Sequence, residues 1–338
     1  MRPRWPWLVV MPLAALVAVV AVAWNTGSVE PASAAAVLGK VPIPADNPQT
    51  PDKVALGKLL FFDPRLSGNN TVACATCHQG PKGLSDGLAR SIGVNGELSR
   101  NAPTVWNAAY MRTLHSDGGR ASLEDQVDKA IPGFAMGQPY PALFDELGAV
   151  PEYRQRFDRV FPDGLTETNI AKAIAAYERT LLTFNSPFDR NRVGDKTALT
   201  PEQKQGLMLF FSTRAGCSSC HVAPLFTDNA WHNLGVPQVG TKAVDNGRGD
   251  VTHNQGDVGA FKTPTLRNVE RTAPYMHDGA FTTLDQVVAF YVAGGGPTPD
   301  KSPLIKPLDL SVTEQQALVA FLRSLTDRTV SVDRPKLP

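Results

Sequence analysis

Cysteine is scarce in this chain. Four residues of 338 are cysteines, and they stand in two C-x-x-C pairs, Cys74 with Cys77 and Cys217 with Cys220. Clusters of basic residues are missing and the formal net charge is +1, so nothing in the charge pattern asks for nucleic acid or an acidic membrane surface. Strand-like alternation is also rare, which leaves a mainly α reading. No long low-complexity stretch interrupts the chain, but 28 glycines and 28 prolines predict extensive irregular loops.

What is present begins with Arg2 and Arg4, an apolar run from about Trp5 to Trp24, and the small residues Ala32, Ser33 and Ala34. A charged start, an apolar middle and an A-x-A site make a secretory signal peptide over residues 1–36. An uncleaved anchor is the alternative, because the run approaches the ~20 residues that span a bilayer. The expected location is the periplasm. At roughly 150 residues per domain, the remaining chain points to two domains, 37–190 and 191–338. Their boundary is expected in the polar, turn-rich stretch from Asn185 to Pro201. Ser122 with Asp125 reads as a capping box opening a helix to about Ala130, and Thr282 with Asp285 as one opening a helix to about Val292. Thr166 to Phe184 and Thr313 to Leu325 carry apolar residues at helical spacing.

Each cysteine pair is followed at once by a histidine, His78 and His221, and C-x-x-C-H is the attachment signature of c-type haem. Two thiols add across the vinyl groups of one porphyrin, and the adjacent histidine is carried beneath it as the proximal iron ligand. A four-cysteine zinc site usually sets its pairs ~15–20 residues apart, far closer than Cys77 and Cys217. Disulfides would leave both histidines a coincidence, and a thioredoxin-like pair lacks its βαβ setting. The run-up is repeated as well, "GKLLFFDPRLSGNNTVACATCH" from Gly57 and "GLMLFFSTRAGCSSCH" from Gly206. Two covalently bound haems c are expected.

From about Gly57 onward the chain resembles the bacterial dihaem cytochrome c peroxidases and their relative, the methylamine-utilisation maturase MauG. The resemblance is carried by "LLFFDPRLSGN", "CATCH", "SIGV", "RNAPTVWNAAY", "GRASLEDQ", "GAFKTPTLRNVERTAPYMHDGAFTTLDQVVAFY" and "TEQQALVAFLRSL". It implies two cytochrome c-like domains, with a peroxidatic haem in the first and an electron-handling haem in the second. It also implies a calcium ion between them at Asn101, Thr272 and the carbonyl of Pro274, oxygen donors suited to that hard cation. The implied partners are hydrogen peroxide and a small c-type cytochrome or copper protein as electron donor, or else a protein substrate. A homodimer is compatible with the resemblance.

Four departures bear on mechanism. Many members carry a removable histidine sixteen residues past the first proximal one, in an S-I-G-H segment; here Val94 stands there and cannot ligate. The first haem is then open, unless His115 or Met136 substitutes, and MauG shares that trait. In the second domain a methionine usually lies fourteen residues past the His-Asp-Gly motif. The count from His277 reaches Tyr291, as in MauG, with Met276 as the rival ligand. A thioether favours ferrous iron, whereas a phenolate favours ferric and higher states. Leu284, Val287, Val288 and Tyr291 also form an apolar helical stripe, so core packing is the competing role for Tyr291. A tryptophan common between the haems is replaced by Ser116 or Asp117, leaving Trp106, Tyr110 or Trp231 as relays. A distal glutamate is replaced by Ala135, leaving Gln126 to orient peroxide and His115 as the candidate acid–base group. "RGD" at Arg248 to Asp250 reads as a turn.

Three functions compete: a peroxidase fed electrons through the haem at His221, a MauG-like maturase oxidising Trp or Tyr side chains of a partner protein, and an electron carrier without peroxide chemistry. Val94 and Tyr291 favour the maturase over the peroxidase, and the lost glutamate and tryptophan count against both.

Overall fold

In both copies the repeated run-up begins in a helix and continues through a loop to the cysteine pair. A computed structural model of the chain describes residues 37–240 and 244–338; the expected signal peptide lies outside the described residues. Helix α1, Pro51–Phe61, starts where Thr50 accepts a hydrogen bond from the Lys53 amide, with proline in its first turn. The 4-residue helix α2, Cys74–Cys77, follows after a short 3₁₀ turn. Helices α3 (Leu123–Ala130), α4 (Tyr140–Gly148), α5 (Pro151–Val160) and α6 (Glu167–Glu178) complete the first half. The second half holds α7 (Pro187–Arg192), α8 (Pro201–Phe210), α9 (Gly249–Thr252), α10 (Leu284–Val292) and α11 (Val312–Arg323). Sheet is confined to two antiparallel pairs, β1 (Ile92–Gly93) with β2 (Gly96–Glu97) and β3 (Trp231–His232) with β4 (Phe261–Lys262). The mainly α reading holds.

Glycine in the run-up has a packing role in both copies. A Cβ at Gly57 would overlap the Ala173 carbonyl, and one at Gly206 would overlap the Ala317 carbonyl. So α1 closes on α6, and α8 on α11, with backbones in contact through the one residue type that permits it. Each crossing anchors an apolar core. The first gathers Leu56, Leu60, Phe61, Tyr153, Phe157 and Ile174. The second gathers Phe188, Phe210, Phe226 and Phe321, with Phe210 and Phe321 centroids 5.0 Å apart. Both cores lie within one compact unit.

A second, longer repeat was not visible from composition or periodicity. Asn107 and Asn268 both open 3₁₀ turns from left-handed backbone, at φ 62° and 59°. His115 and Met276 are left-handed at φ 66° and 69°. The bridge Leu114–Arg120 recurs as Tyr275–Phe281, and α3 recurs as α10. One constant offset, that from Asn107 to Asn268, relates all of these. It equates Ser116 with His277, Gln126 with Val287, and Ala130 with Tyr291.

Several expected boundaries move. The cap of α10 is Thr283, boxed with Gln286, one residue later than the expected Thr282 and Asp285 pair; Gln286 Oε1 accepts from the Thr282 and Thr283 amides. The helix expected to run to Phe184 stops at Glu178. Beyond it Asn107 Oδ1 accepts from the Thr183 amide, and Asp327 Oδ2 from the Phe184 and Asn185 amides, bonds that pull the chain out of helix. The Thr313 to Leu325 helix spans Val312–Arg323, capped by Ser311 with Glu314. The polar stretch from Asn185 to Pro201 is not loose: Arg267 pairs bidentately with Asp189 at 2.8 Å, each side chain 1% exposed. The "RGD" stretch opens α9, with Arg248 turned inward.

Candidate functional site: two matched haem cradles

The two histidines are held alike. His78 Nδ1 lies 3.0 Å from the Leu84 carbonyl, and His221 Nδ1 lies 2.9 Å from the Phe226 carbonyl. A carbonyl only accepts, so each Nδ1 carries the proton and each Nε2 is free to bind iron. Leu84 and Phe226 are fully buried and left-handed, at φ 58° and 57°, a backbone state that aims these carbonyls at the rings. Burial lowers the pKa of both histidines, keeping them neutral as ligation requires. Neither cysteine pair is closed as a disulfide. Burial pushes the thiols of Cys77, Cys217 and Cys220 up to about 11. Among the described residues, only Cys220, Asp228 and His232 gather into a metal-like cluster, within 4.8 Å of one another, and the two cysteine pairs do not meet in one. These residues fit two covalent haems and do not fit a four-cysteine zinc site.

Beyond His78 the departures from the family pattern fall together. The Val94 amide donates to the Ala135 carbonyl at 2.8 Å, and Asn95 Nδ2 to the Phe134 carbonyl at 3.0 Å. The hairpin β1–β2 is thus zipped to the 133–137 loop, and the lost ligand and the lost glutamate occupy adjoining positions. Met136 is buried in the first core. His115 and Gln126 come together: Gln126 Oε1 is buried without a well-formed hydrogen bond among the described residues, and the His115 imidazole faces that amide. Burial lowers the His115 pKa, while Asp117 and the Gln126 amide oppose that effect.

In the second half, the side chain of Tyr291 is enclosed beside Cys220 and Cys217, with burial and those two thiols pushing the phenol's pKa up. Tyr291 thus lies in the neighbourhood of the second cysteine pair. Met276 sits on the turn equivalent to His115, its carbonyl accepting from Asn101 Nδ2 at 2.7 Å. Asn101 Nδ2 also donates to the Pro274 carbonyl at 3.1 Å. Two carbonyls thus converge on the Asn101 side chain, while Thr272 Oγ1 donates to its own turn at Val269.

Residue 116 adjoins a polar seam that sequence reasoning missed. Arg100 bridges Asp117 (2.5 Å) and Asp245 (2.6 Å), and its guanidinium lies over the Phe261 ring, which stacks on His277 at 3.8 Å. Of the candidate relays, Trp106 is buried in the first core and Tyr110 is tied to the Gly39 carbonyl. Trp231 is the one at the seam, its ring filling the space that a Cβ at Gly118 would need. The equivalence of Ser116 and His277 was the available signal.

The chain is similar to known di-haem proteins. Residues 51–197 match the family described as di-haem cytochrome c peroxidase. The cytochrome-c peroxidase IdrP1 of Pseudomonas sp. (strain SCT) is 41% identical, over 97% of this chain and 96% of that protein. The methylamine utilization protein MauG of Methylorubrum extorquens is 39% identical, over 88% of this chain and 85% of its own length. The crystal structure of a MauG-like protein associated with microbial copper homeostasis aligns with a TM-score of 0.80 at 32% identity, over 91% of this chain and 97% of that one. The chain therefore belongs to the di-haem cytochrome c peroxidase family and is a haem-dependent oxidoreductase built to carry two haems.

Proposed function

We propose that the chain reduces hydrogen peroxide to water at the cradle of His78, with electrons delivered through the cradle of His221 from a small c-type cytochrome or copper protein. The balance is one peroxide, two electrons and two protons to two waters. When bound, haem supplies an iron that takes a peroxide oxygen and hands on electrons one at a time. The observation that supports peroxide binding, a step shared with the partner-protein reading, is the adjoining placement of Val94 and Ala135: neither side chain can ligate, so a face is left open, with Gln126 and His115 as its polar groups. Gln126 Oε1 accepts a hydrogen bond from peroxide and orients it. His115, neutral at pH 7 through burial, moves the proton between peroxide oxygens in place of the missing glutamate. Tyr291, in the neighbourhood of Cys217 and Cys220, would join His221 in holding the second haem iron, in preference to Met276.

The calcium site is proposed at Asn101 and the Pro274 carbonyl with Thr272, a cation taking the place of the amide hydrogens that now meet two carbonyls. The boundary between two haem domains near residue 190 and export to the periplasm remain part of the same proposal. Among the described residues no helix is long and apolar enough to cross a membrane. A second reading, oxidation of a Trp or Tyr on a partner protein, is favoured by Tyr291 and by the likeness to MauG.

Stopped-flow mixing with peroxide tests the choice. Fast turnover that needs reduced cytochrome supports peroxide reduction, and rapid oxidation of both haems followed by slow decay supports the partner-protein reading. His115→Ala is expected to slow the peroxide step by roughly 10²–10⁴. An unchanged rate removes His115 from the chemistry.

A further inference from the structure

Two donors on one face of the β3–β4 ladder have no acceptor. Trp231 and Lys262 are directly opposed across the two strands, so their side chains share a face. Trp231 Nε1 is buried without a hydrogen-bond partner among the described residues. Lys262 Nζ has no ion-pair or hydrogen-bond partner among them either, and burial alone pulls its pKa from 10.5 to about 8, with no neighbouring charge to offset it. A half-buried ammonium and a buried indole N–H on the same face, both without an acceptor among the described residues, make a place for an anion.

The pair sits at the seam of the two halves. The Lys262 amide donates to the Ser116 carbonyl at 2.6 Å, and the Trp231 ring lies on Gly118. Arg248 covers that ring at 4.2 Å and donates to the Asp117 and Gly118 carbonyls at 3.0 and 3.2 Å. On β3 the next residue, His232, bonds to Asp228 at 3.0 Å, and both stand within 4.8 Å of the Cys220 sulfur. β3 therefore spans from the second haem attachment to the loop that carries His115. Arg100 is already neutralised by Asp117 and Asp245, so Lys262 and Arg248 are the uncompensated cations around the indole among the described residues.

We propose that Trp231 and Lys262 clamp a haem propionate carboxylate at this seam, and that the clamp fixes the Trp231 indole between the two haem sites as the electron bridge that residue 116 does not provide. The proposal rests on the two-haem reading above. In each transfer one electron leaves the haem held by His221 and one arrives at the haem held by His78, with Trp231 unchanged at the end. Arg248 on the ring face repels positive charge on the indole, so Trp231 conducts without storing an oxidising equivalent.

The haem-loaded protein provides the test without peroxide, by spectroelectrochemical titration of both haems and by following electron redistribution after rapid one-electron reduction. Lys262→Met is expected to lower one midpoint potential by about tenfold in the one-electron equilibrium, 59 mV, because a positive charge beside the reduced centre is lost. Lys262→Arg is expected to restore it. Trp231→Phe is expected to slow redistribution at least tenfold with little change in either potential. Unchanged potentials in Lys262→Met at full haem content overturn the clamp, and unchanged redistribution in Trp231→Phe overturns the bridge. A wild-type protein that fails to reduce peroxide would instead count against the proposed function, since neither readout uses peroxide.

Discussion

The two halves of this molecule are built alike and finished differently. Each closes a helix pair through a glycine, holds its histidine by a left-handed carbonyl and follows with the same turn and helix. They diverge at equivalent positions of the following helix: Ala130 stands where the second half has Tyr291, and Gln126 where it has Val287. The scaffold makes a haem site, and on the proposed reading a handful of substitutions on it decide whether that site is open and polar or closed. The comparison teaches where to look for chemistry, because residues that differ between equivalent positions are free of the scaffold's demands.

The strongest way to break the comparison is to move the tyrosine. Ala130→Tyr should close the first site, converting its high-spin ferric signal in electron paramagnetic resonance to low-spin and suppressing the peroxide reaction by orders of magnitude. A persistent high-spin signal would mean that the correspondence of Ala130 with Tyr291 stops short of the iron. In the parent protein, one high-spin and one low-spin haem are expected, and Tyr291→Phe should disturb the low-spin one.

A smaller effect is expected at the helix crossings. Gly57→Ala and Gly206→Ala each drive a methyl group into a backbone carbonyl, at a cost of about 1–3 kcal/mol by overpacking. Thermal unfolding should show comparable losses, with haem retention impaired in the half that carries the change. A loss confined to one variant would show that only one crossing supports its cradle.

The smallest concerns Glu178, which takes the place of Leu322 when the two crossings are superposed on Ala173 and Ala317. It is buried, Oε2 has no partner among the described residues, and burial, reinforced by Glu124, raises its pKa from 4.5 to about 8. The folded state thus holds this proton longer than the unfolded one, so stability is full below about pH 4.5 and is lost as pH rises toward 8. Glu178→Leu, which copies the second half, should flatten that decline and gain roughly 1 kcal/mol at pH 8, the low end for an unpartnered buried polar group. A pH profile of unfolding that keeps its slope in the variant would assign the slope elsewhere.

Much of this was readable in advance. The haem attachments, the mainly α class, the cap at Ser122 and the helix that begins beside Thr166 depend on local spacing, which a linear reading captures. Val94 and Ala135 were each recognised as departures, but their contact joins segments far apart in sequence and belongs to tertiary packing. The early stop of α6 at Glu178 was hidden for the same reason, since Asn107 and Asp327 win the amides that periodicity assigned to helix. Lys262 looked like an ordinary basic residue, because burial without a counter-charge leaves no mark on composition.

The bond from the Val94 amide to the Ala135 carbonyl makes the hairpin and the 133–137 loop one mechanical unit. A histidine engineered at position 94 would therefore be no free-swinging latch. To leave the iron it would have to drag the facing loop with it or tear that bond, and the activation step would become slow and concerted. Rebuilding a reductively gated enzyme on this scaffold is a two-site problem, in which the latch and the strip it is fastened to have to be redesigned together.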